Sequence, residues 1–292
     1  MIDCSIIIIS YNTNELLHKC LGSLYAHITS SPYSYEVLVV DNASSDGSPE
    51  MVKNNFPHVQ LIINKQNIGF GRANNQAAGK AHGKLLFFLN SDTEILDDAV
   101  NALCTFALKS AQNAIYGGKL LNLDNTDQAS AGKFYTLPIV ILSLFFKGDY
   151  LHFTRSSPRT TTYTDWVSGA CLLVPKDVYV QLGGFDEKIF MYMDEVDFCF
   201  RARQKNIKTL FYPDARFIHI GSASSDDKRE PYVHVFEGLL YFYRKHWPKQ
   251  IFLLKFILYA KSFLGITLGH LLFNNSLIKN YSIAWKIVST YE

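Results

Sequence analysis

Short apolar runs alternate with stretches of helical periodicity over the first hundred residues. The apolar runs are residues 5–10, 36–40, 59–63 and 85–89. Between them, apolar residues recur every three or four positions, as in Leu17, Leu21 and Leu24. Nearly continuous apolar strands separated by helices are typical of a parallel sheet that is covered on both faces. The pattern therefore predicts an α/β fold with a mostly parallel central sheet and helices on both faces.

The later part of the chain has a less regular pattern. Residues 166–175 predict a strand, 176–182 a short helix, and 194–204 a helix with an acidic start. Residues 209–212 and 216–220 predict two further short strands. We therefore expect the sheet to continue after the first hundred residues.

The composition of the chain changes near Trp247. Beyond residue 240 there are seven Lys or Arg residues and one acidic residue, a formal charge of +6. Residues 251–273 are mostly apolar and long enough to span a bilayer, but Lys261 near their centre would cost roughly 2.5–3.5 kcal/mol on insertion. We expect a domain over residues 1–247 and a helical tail, 248–292, that lies on an anionic membrane surface. The alternatives are a membrane span and a soluble helical cap packed on the core.

Composition excludes several classes of protein. With 48% hydrophobic and 18% charged residues, the chain is neither disordered nor collagen-like. Its net charge of +2 indicates no nucleic-acid partner. Five scattered cysteines without a CxxC pair favour a reducing compartment over a disulfide framework or a zinc site. Asp3 stands where a secretion signal needs basic residues, so we expect no such signal.

Polar clusters follow three of the first four predicted strands. They are residues 11–13, 41–47 and 90–92. Ligands of open α/β sheets bind beyond the carboxyl ends of the strands, so these clusters are expected to form one site. The first strand is followed by no G-x-G-x-x-G, and the chain has no GxxxxGK[ST], which excludes a dinucleotide fingerprint and a P-loop.

Two aspartates in these clusters suggest how a nucleotide is held. Asp41 ends a predicted strand, where its carboxylate can accept hydrogen bonds from a pyrimidine N–H or a ribose hydroxyl. Asp92 also follows a strand, where it can ligate a hard divalent ion that bridges a diphosphate. The alternative for Asp92 is a cap of the helix that follows.

Five motifs between residues 4 and 225 carry a family resemblance. They are SIIIISYN, VVDNASSDGS, NIGFGRANNQA, FFLNSD and GGFDEKIFMYMDEVDFCFRAR. In this order they closely resemble glycosyltransferase family 2, and within it the bacterial rhamnosyltransferase-type enzymes that build surface polysaccharide. The resemblance implies a GT-A fold, with a nucleotide-binding half over about 1–119 and an acceptor-binding half over 120–247.

The resemblance also implies an activity. Such enzymes move a sugar, here with rhamnose as a candidate, from a nucleotide-sugar to a hydroxyl of a saccharide or lipid-linked acceptor, and invert the anomeric centre. A UDP- or dTDP-sugar donor and Mg²⁺ or Mn²⁺ are expected. The enzyme would act at the cytoplasmic face of the cell membrane, as a peripheral or monotopic protein.

Site residues are assigned by matching positions to the family motifs. The nucleotide-binding positions correspond to Ser10, Tyr11, Asn12, Asp41, Asn67, Gly69, Arg72, Asn74, Asn90 and Ser91. The metal-binding positions correspond to Asp92 and His219, and the sugar or acceptor positions to Trp166, Gly169 and Asp197. A structural role is the alternative for His219, and packing in the core is the alternative for Trp166. The chain departs from the family's D-x-D motif at Asn90, a neutral and weaker ligand, so Asp92 is the expected metal ligand.

An inverting transfer needs a carboxylate that takes the proton of the attacking hydroxyl. Residues 194–197 correspond to the family's E-D-x-D segment, with the first two acids exchanged. The family's base aligns with Glu195, and Asp194 remains an alternative. For Asp197 a structural role is the alternative, and for the whole cluster the alternative is a favourable helix N-terminus.

Two other classes of function remain open on the sequence. A sugar-nucleotide nucleotidyltransferase would need a glycine-rich loop with Arg and Lys after the first strand, and residues 10–12 supply none. A non-catalytic, membrane-bound scaffold with a degenerate transferase fold is the other. The presence of Asp41, Asp92, Glu195 and His219 argues against it.

Overall fold

The computed structural model describes residues 2–110, 113–149, 151–221 and 230–291. The chain forms two compact units. Unit 1 comprises Met1–Lys133, Arg155–Phe190 and Asp194–Ser224, and unit 2 comprises Phe134–Thr154, Met191–Met193 and Ser225–Glu292. Residues 222–229 of the predicted acceptor-binding half lie outside the described residues. The predicted domain boundary near residue 247 stays a prediction.

Strands and helices alternate over the first part of unit 1, and several short strands follow one another in its later part. Its strands are β1 (Cys4–Ser10), β2 (Tyr35–Asp41), β3 (Gln60–Ile63), β4 (Leu85–Asn90), β5 (Thr93–Ile95), β6 (Ala114–Leu121), β7 (Asp127–Gln128), β8 (Ala131–Gly132), β9 (Arg155–Ser156), β10 (Thr162–Thr164), β11 (Trp166–Val167), β12 (Cys171–Pro175) and β13 (Lys208–His219). Its helices are α1 (Asn14–Ile28), α2 (Ser48–Asn55), α3 (Phe70–Ala78), α4 (Ala99–Ser110), α6 (Lys176–Leu182) and α7 (Asp194–Gln204). Unit 2 holds α5 (Leu137–Phe145), α8 (Glu230–His246), α9 (Ile251–Leu271) and α10 (Asn275–Thr290).

A mostly parallel sheet forms the centre of unit 1. Its strand order is β10-β13-β6-β12-β4-β1-β2-β3, with β5 paired to β13 and β7 to β6. β1 pairs in parallel with β2 on one side and β4 on the other, whereas β12 is antiparallel to both β4 and β6. A second, small sheet has the order β11-β8-β9. The predicted fold class is confirmed.

The central strands are apolar throughout because both of their faces are covered. On one face, Ile6 and Ile8 belong to a core that includes Leu17 and Leu21 of α1 and Leu103 of α4. On the other face, the ring of Phe88 contacts those of Tyr179 in α6 and Phe185. Burial of such side chains contributes about 1.5–3 kcal/mol each, so packing of the helices on both faces of the sheet stabilises unit 1.

Three predicted strands differ from the structure. The predicted strand 166–175 is two strands in different sheets, because residues 168–171 turn and the Cys171 N–H donates to the Ser168 carbonyl at 3.2 Å. The two predicted strands around residues 209–220 are one strand, β13, whose register against β6 shifts between Tyr212 and Arg216. In both cases local pattern did not reveal which partner each strand pairs with.

Close packing of two helices organises unit 2. A Cβ atom at Gly265 of α9 would lie 2.1 Å from the ring of Tyr281 in α10, and one at Gly269 would lie 2.7 Å from Ile278. The G-x-x-x-G spacing of α9 therefore serves contact within the chain. Among the described residues, one helical stretch, Pro248–Leu271, is long and apolar enough by length and composition to cross a membrane.

Gly117 provides a test of packing in unit 1. A Cβ atom added at Gly117 in β6 would lie 2.4 Å from Cβ of Val167 in β11. We expect Gly117→Ala to lower the free energy of unfolding by about 1–3 kcal/mol, because backbone or side chains must shift to make room. Gly22→Ala is the control, since Gly22 lies in α1 with no atom within 4 Å of the added carbon. Urea denaturation should show little change or a gain of up to about 1 kcal/mol for Gly22→Ala; equal midpoints would contradict the expected clash.

Candidate active site

One edge of the central sheet gathers the predicted site residues. β1, β2 and β4 are parallel, so their carboxyl ends lie side by side. β12 runs the opposite way and begins there, with Cys171 opposite Leu89, while β13 is parallel to β6 and ends there. The residues brought to this edge include Ser10, Asp41, Asn90, Gly169 and His219. The convergence predicted from the polar clusters is present.

Hydrogen bonds join the loops after β1 and β2. Asn12 has a left-handed backbone, with φ of 51°, and its N–H donates to Oγ of Ser44 at 2.9 Å. Its side-chain oxygen accepts from the backbone N–H of Ser45 at 2.9 Å. One bond uses the backbone N–H of Asn12 and the other its side-chain oxygen, so both hold the loop after β1 to the loop after β2. Tyr11 is partly buried beside them.

The loop after β4 is tied to the loop after β1 by hydroxyl groups. The Ser10 and Thr13 hydroxyls are 3.0 Å apart, and Thr13 Oγ1 donates to Oγ of Ser91, also at 3.0 Å. All three residues are buried. The predicted positions Ser10 and Ser91 are therefore linked through Thr13, a residue that the sequence analysis did not single out.

Asp41 is buried with one unpaired oxygen. Its Oδ1 accepts from the Ser44 N–H at 2.8 Å, whereas Oδ2 has no hydrogen-bond partner within the described residues. Only 1% of the residue is exposed. A buried carboxylate oxygen without a donor is costly, so this oxygen suits a donor group supplied by a ligand.

The segment after β3 also reaches this region. Asn42, beside Asp41, donates to the Gly69 carbonyl at 3.3 Å, and Asn67 Oδ1 accepts from the Gly69 N–H at 3.0 Å. Gly69 has φ of +85°, and a Cβ there would lie 2.6 Å from the Phe190 carbonyl oxygen. Only glycine therefore fits this position. Asn42 is a second structural residue that the sequence analysis did not single out.

The other two predicted residues of this segment have partners inside the chain. Arg72 Nε lies 3.5 Å from Glu187 Oε2, and both side chains are exposed. Asn74 is buried and donates to the Phe70 carbonyl within α3 at 3.0 Å. Their predicted contacts with a nucleotide stay predictions, and for Asn74 the structure adds a local hydrogen bond.

Asp92 and His219 face each other beyond β4 and β13. His219 Nε2 lies 3.4 Å from Asp92 Oδ1 and 3.3 Å from Asn90 Nδ2. The second oxygen of Asp92 accepts from the Gly221 N–H at 2.9 Å. Burial acts to raise the pKa of Asp92, but interaction with His219 and the backbone N–H donors outweigh it and lower that pKa.

Gln128 determines which imidazole nitrogen of His219 carries the proton. Its Nε2 donates to the carbonyl of His219 and to Oδ1 of Asn122, each at 3.0 Å. Its Oε1 is thereby turned toward His219 Nδ1 at 2.6 Å and accepts from the Nδ1–H. Gln128 was missed by the sequence analysis, since a two-residue strand leaves no periodic signal.

The resulting arrangement suits a divalent cation. In the neutral imidazole with its proton on Nδ1, Nε2 of His219 is an acceptor that faces the Asn90 amide at 3.3 Å and the Asp92 carboxylate at 3.4 Å. Asp92 and this nitrogen are close enough to share a cation or a proton. A carboxylate suits Mg²⁺ or Mn²⁺, and an imidazole suits a transition-metal ion, so the mixed pair favours Mn²⁺ over Mg²⁺. Among the described residues there is no group of three or more His, Cys, Asp or Glu that can hold a metal. The remaining coordination positions would thus fall to water or a diphosphate.

The acidic start of α7 contains two carboxyl groups in different surroundings. Asp194 is 1% exposed, and its unpaired Oδ1 would lie 2.9 Å from a Cβ at Gly71. Burial, followed by the charge of Glu195, raises the pKa of Asp194 well above its usual value. Glu195 is partly exposed beside Gly169. Burial also raises the pKa of Glu195, although Arg155 and the Gly169 N–H act to lower it.

Asp197 and Trp166 both contact other residues of unit 1. Asp197 is buried, with Oδ2 2.7 Å from Arg201 Nε. Trp166 is also buried; its indole N–H donates to the Lys133 carbonyl at 2.9 Å, and the guanidinium of Arg155 lies 5.4 Å from the ring centroid. Their predicted contacts with a sugar or acceptor stay predictions. The structure adds the ion pair of Asp197 with Arg201 and the contact of the Trp166 ring with the guanidinium of Arg155.

Comparison with known proteins identifies the family. The family description Glycosyl transferase family 2 matches residues 5–165, which is more than half of the chain. The chain belongs to glycosyl transferase family 2. The predicted family is thereby confirmed, and the matched region contains the Asp41 and Asp92 loops.

Relatives of this glycosyltransferase include named rhamnosyltransferases. It is 28% identical over 257 residues to the N-acetylglucosaminyl-diphospho-decaprenol L-rhamnosyltransferase of Mycobacterium tuberculosis, covering 79% of each chain. It is 26% identical over 228 residues to the rhamnosyltransferase WbbL of Escherichia coli, covering 73% of this chain and 82% of that one. The predicted similarity to rhamnosyltransferases is confirmed.

A solved structure confirms the GT-A fold. The mannosyltransferase PcManGT from Pyrobaculum calidifontis, in complex with GDP-Man and Mn²⁺, matches with a TM-score of 0.57. The match covers 99% of this chain and 75% of that one at 15% sequence identity. At this identity the likeness shows the fold alone.

Asp46 holds the first two loops of the glycosyltransferase together. Its Oδ2 accepts from the Asn14 N–H at 2.8 Å, which caps the start of α1 from the neighbouring loop. Its Oδ1 accepts from the N–H and hydroxyl of Ser48 at 3.0 and 2.6 Å. Burial acts to raise the pKa of Asp46, but these hydrogen bonds outweigh it and lower that pKa.

We expect Asp46→Ala to lower the free energy of unfolding by about 1 kcal/mol at neutral pH, through loss of the cap on α1. Because the folded-state pKa is lowered, this contribution is present above the unfolded-state pKa of about 3.9 and is lost as pH falls through the folded-state pKa. Chemical denaturation should therefore show the variant and wild type converging in acid.

Asp124→Ala is the matched control. Asp124 accepts from the N–H and hydroxyl of Thr126 at 3.0 and 2.6 Å but caps no helix of a second loop. Its removal should cost less stability than removal of Asp46. Equal losses for the two variants would show that the bond to Asn14 contributes nothing.

Proposed function

We propose that this glycosyltransferase is an inverting enzyme that moves a sugar from a nucleotide-sugar to a hydroxyl of a saccharide or lipid-linked acceptor. The observation that carries the proposal is the carboxylate of Asp92 beside the imidazole of His219, with Oδ1 and Nε2 3.4 Å apart. Such a pair suits a cation that also binds a diphosphate. It lies at the same sheet edge as the unpaired oxygen of Asp41.

Donor binding is assigned to the loops of this edge. Asp41 Oδ2 would accept from the base or ribose, since it is buried without a donor of its own. Asn90 and the backbone near Ser91 would lie beside the diphosphate. The remaining proposed contacts with the nucleotide come from Ser10, Tyr11, Asn12, Asn67, Gly69, Arg72 and Asn74.

Asp92 and His219 would hold Mg²⁺ or Mn²⁺. When bound, the ion would neutralise charge on the diphosphate as it leaves the sugar. Gln128 would keep the lone pair of His219 Nε2 directed at the ion, by accepting from Nδ1–H. The solved mannosyltransferase that shares the fold contains Mn²⁺, which supports this assignment.

Glu195 is the proposed general base. Its carboxylate would take the acceptor hydroxyl's proton while the hydroxyl oxygen bonds to the anomeric carbon and the bond to the diphosphate breaks. A single displacement of this kind inverts the anomeric centre. Glu195 is preferred over Asp194 because it is partly exposed, whereas Asp194 is fully buried against Gly71 with a strongly raised pKa. Asp197 would hold Arg201, which donates to the carbonyls of Leu182 and Gly184 and so positions α7.

The relatives suggest the substrates. Two of them are named rhamnosyltransferases, and the name of one specifies a lipid-diphosphate acceptor. We propose a UDP- or dTDP-sugar donor, with rhamnose as the first candidate, in the synthesis of surface polysaccharide. The enzyme would act at the cytoplasmic face of the membrane as a peripheral or monotopic protein.

A donor screen tests this function. Purified protein would be incubated with UDP-, dTDP- and GDP-sugars, with and without Mn²⁺, and with an N-acetylglucosaminyl-diphospho-lipid acceptor. Mass spectrometry of the lipid product should show addition of one sugar with a dTDP- or UDP-donor. Absence of both transfer and donor hydrolysis across the panel would overturn the proposal.

Asp92→Ala should abolish Mn²⁺-dependent turnover while the protein stays folded, because it removes the only charged ligand of the proposed ion.

Gln128→Ala should weaken Mn²⁺ affinity by about 10–100-fold, the usual effect of losing a group that orients a histidine ligand. Asp214→Asn, an exposed aspartate of β13, is the control. Calorimetric titration with Mn²⁺ and UDP measures the affinities, and unchanged Mn²⁺ binding by Asp92→Ala would contradict the metal assignment.

Glu195→Gln should slow transfer by roughly 10²–10⁴-fold and leave donor binding intact, since a positioned base has about that effect. The base must be ionised, and its pKa is raised, so kcat/KM should fall as pH drops through a value above the ordinary pKa of Glu. Arg155→Gln removes a positive charge that stabilises the Glu195 carboxylate. The decrease of kcat/KM in acid should therefore begin at a higher pH in this variant. An unchanged rate for Glu195→Gln, with Asp194→Asn inactive, would transfer the role to Asp194.

A further inference from the structure

The outward face of α9 is apolar along the helix. Phe252, Phe256 and Phe263 are 78%, 68% and 60% exposed, and their spacing places them on one side of the helix. Other exposed apolar residues of α9 are Leu253, Leu264, Leu268 and Leu271. The opposite side is buried and consists of Leu254, Leu258, Ser262, Gly265 and Gly269.

Both lysines of α9 are withdrawn from this face. The ammonium of Lys255 donates to the carbonyl of Tyr291, and that of Lys261 donates to the carbonyl of Leu144 at 2.6 Å. Burial lowers the pKa of Lys261. In α9, all of which the structure describes, the outward face therefore carries no Lys, Arg, Asp or Glu side chain.

A second exposed apolar segment lies next to α9. The bond from Lys261 to Leu144 holds the end of α5 against the helix, although the two residues are 117 positions apart. Directly after α5, Phe146 and Phe153 are 62% and 59% exposed, and Leu151 is exposed as well. Two distant parts of the sequence thus expose large apolar side chains on neighbouring elements of unit 2.

The charges around this surface favour an anionic membrane. Exposed basic residues lie just before α9, at Arg244, Lys245 and Lys249. The sequence has no acidic residue between Glu237 and Glu292. Anionic headgroups attract such residues, and apolar side chains enter the region beneath. A two-fold contact with a second copy would instead bring like charges together.

Parallel attachment fits the surface better than a span. α10 lies along α9, as the close contacts of Gly265 with Tyr281 and Gly269 with Ile278 show. α10 exposes Lys279 and Lys286. If α9 crossed the bilayer, α10 would carry these lysines into the hydrocarbon, which is costly.

We propose that the outward face of α9 and the segment after α5 form one bilayer-binding surface, with α9 lying along an anionic membrane. The bilayer-binding surface is defined by Phe252, Phe256, Phe263, Phe146 and Phe153. The inference rests on the proposed function, because it explains how the enzyme meets a lipid-linked acceptor, and it names the two segments that make the contact.

Vesicle flotation of the full chain tests the surface. Phe256→Ser and Phe263→Ser should each lower the partition coefficient onto vesicles of equal parts phosphatidylglycerol and phosphatidylcholine by about tenfold. Phe146→Ser and Phe153→Ser should lower it in the same way. Leu123→Ser is the matched control, since Leu123 is equally exposed but lies in unit 1, and it should bind as wild type does. Loss of binding by the α9 variants alone would overturn the two-segment surface.

Depth measurements distinguish a lying helix from a span. An environment-sensitive fluorophore would be attached at Phe252→Cys, Phe263→Cys and Leu271→Cys in separate full-length proteins, whose native cysteines are all buried. Quenchers at known depths should find all three labels at one shallow depth. A deep label at position 263, with shallow labels on opposite leaflets at 252 and 271, would overturn the parallel arrangement.

Three further outcomes separate this inference from the proposed function and from self-association. Protein that hydrolyses a soluble nucleotide-sugar but stays off anionic vesicles would overturn the surface and leave the activity standing. Protein that binds vesicles through these residues but turns over no donor would uphold the surface and overturn the activity. Sedimentation provides the third outcome. If the protein is a dimer that Phe256→Ser dissociates, and it does not bind vesicles, then a second copy of the chain covers this surface and the inference fails.

Discussion

Parallel pairing of β1 with β2 and β4 is the constraint on which the rest of unit 1 depends. The three strands are buried on both faces, so their register is set by packing as well as by hydrogen bonds. Because they run in one direction, the chain leaves all three at the same edge. Asp41, Asn90 and the Asn12 loop are neighbours for that reason, and polar loops can form a site there without burying their backbones in the core.

The candidate site has more acceptors than donors. The Asp41 and Asp194 carboxyls each have a buried oxygen with no partner in the part of the chain that the structure describes, and Asp92 faces Nε2 of His219. Such surroundings are unfavourable for the protein alone and favour a ligand that supplies donors and a cation. Family membership as a glycosyltransferase agrees with this chemistry. The fold provides the arrangement, and the specific groups decide the function.

In unit 2 the disposition of lysines determines the nature of the surface. Lys255 and Lys261 interrupt the apolar run of α9 in the sequence, but each donates to a carbonyl of another segment. Their hydrocarbon stems pack against the protein, and the exposed face keeps only apolar side chains, with Thr267 and His270. The same two bonds hold α5 and the end of α10 to α9. The two lysines that interrupt the apolar pattern therefore also stabilise unit 2.

The sequence by itself determined the α/β class, the family and the edge at which the site forms, because strand burial and polar loops after strands leave local signals. It also indicated Asp92, His219 and the acidic start of α7 through the resemblance. Tertiary structure alone decided that Gln128 orients His219, that Trp166 lies under Arg155, and that Asp194 is fully buried while Glu195 is partly exposed. It likewise placed the end of α5 beside α9, through the bond from Lys261 to Leu144. These features depend on contacts between residues far apart in the chain, and local periodicity carries no information about such contacts.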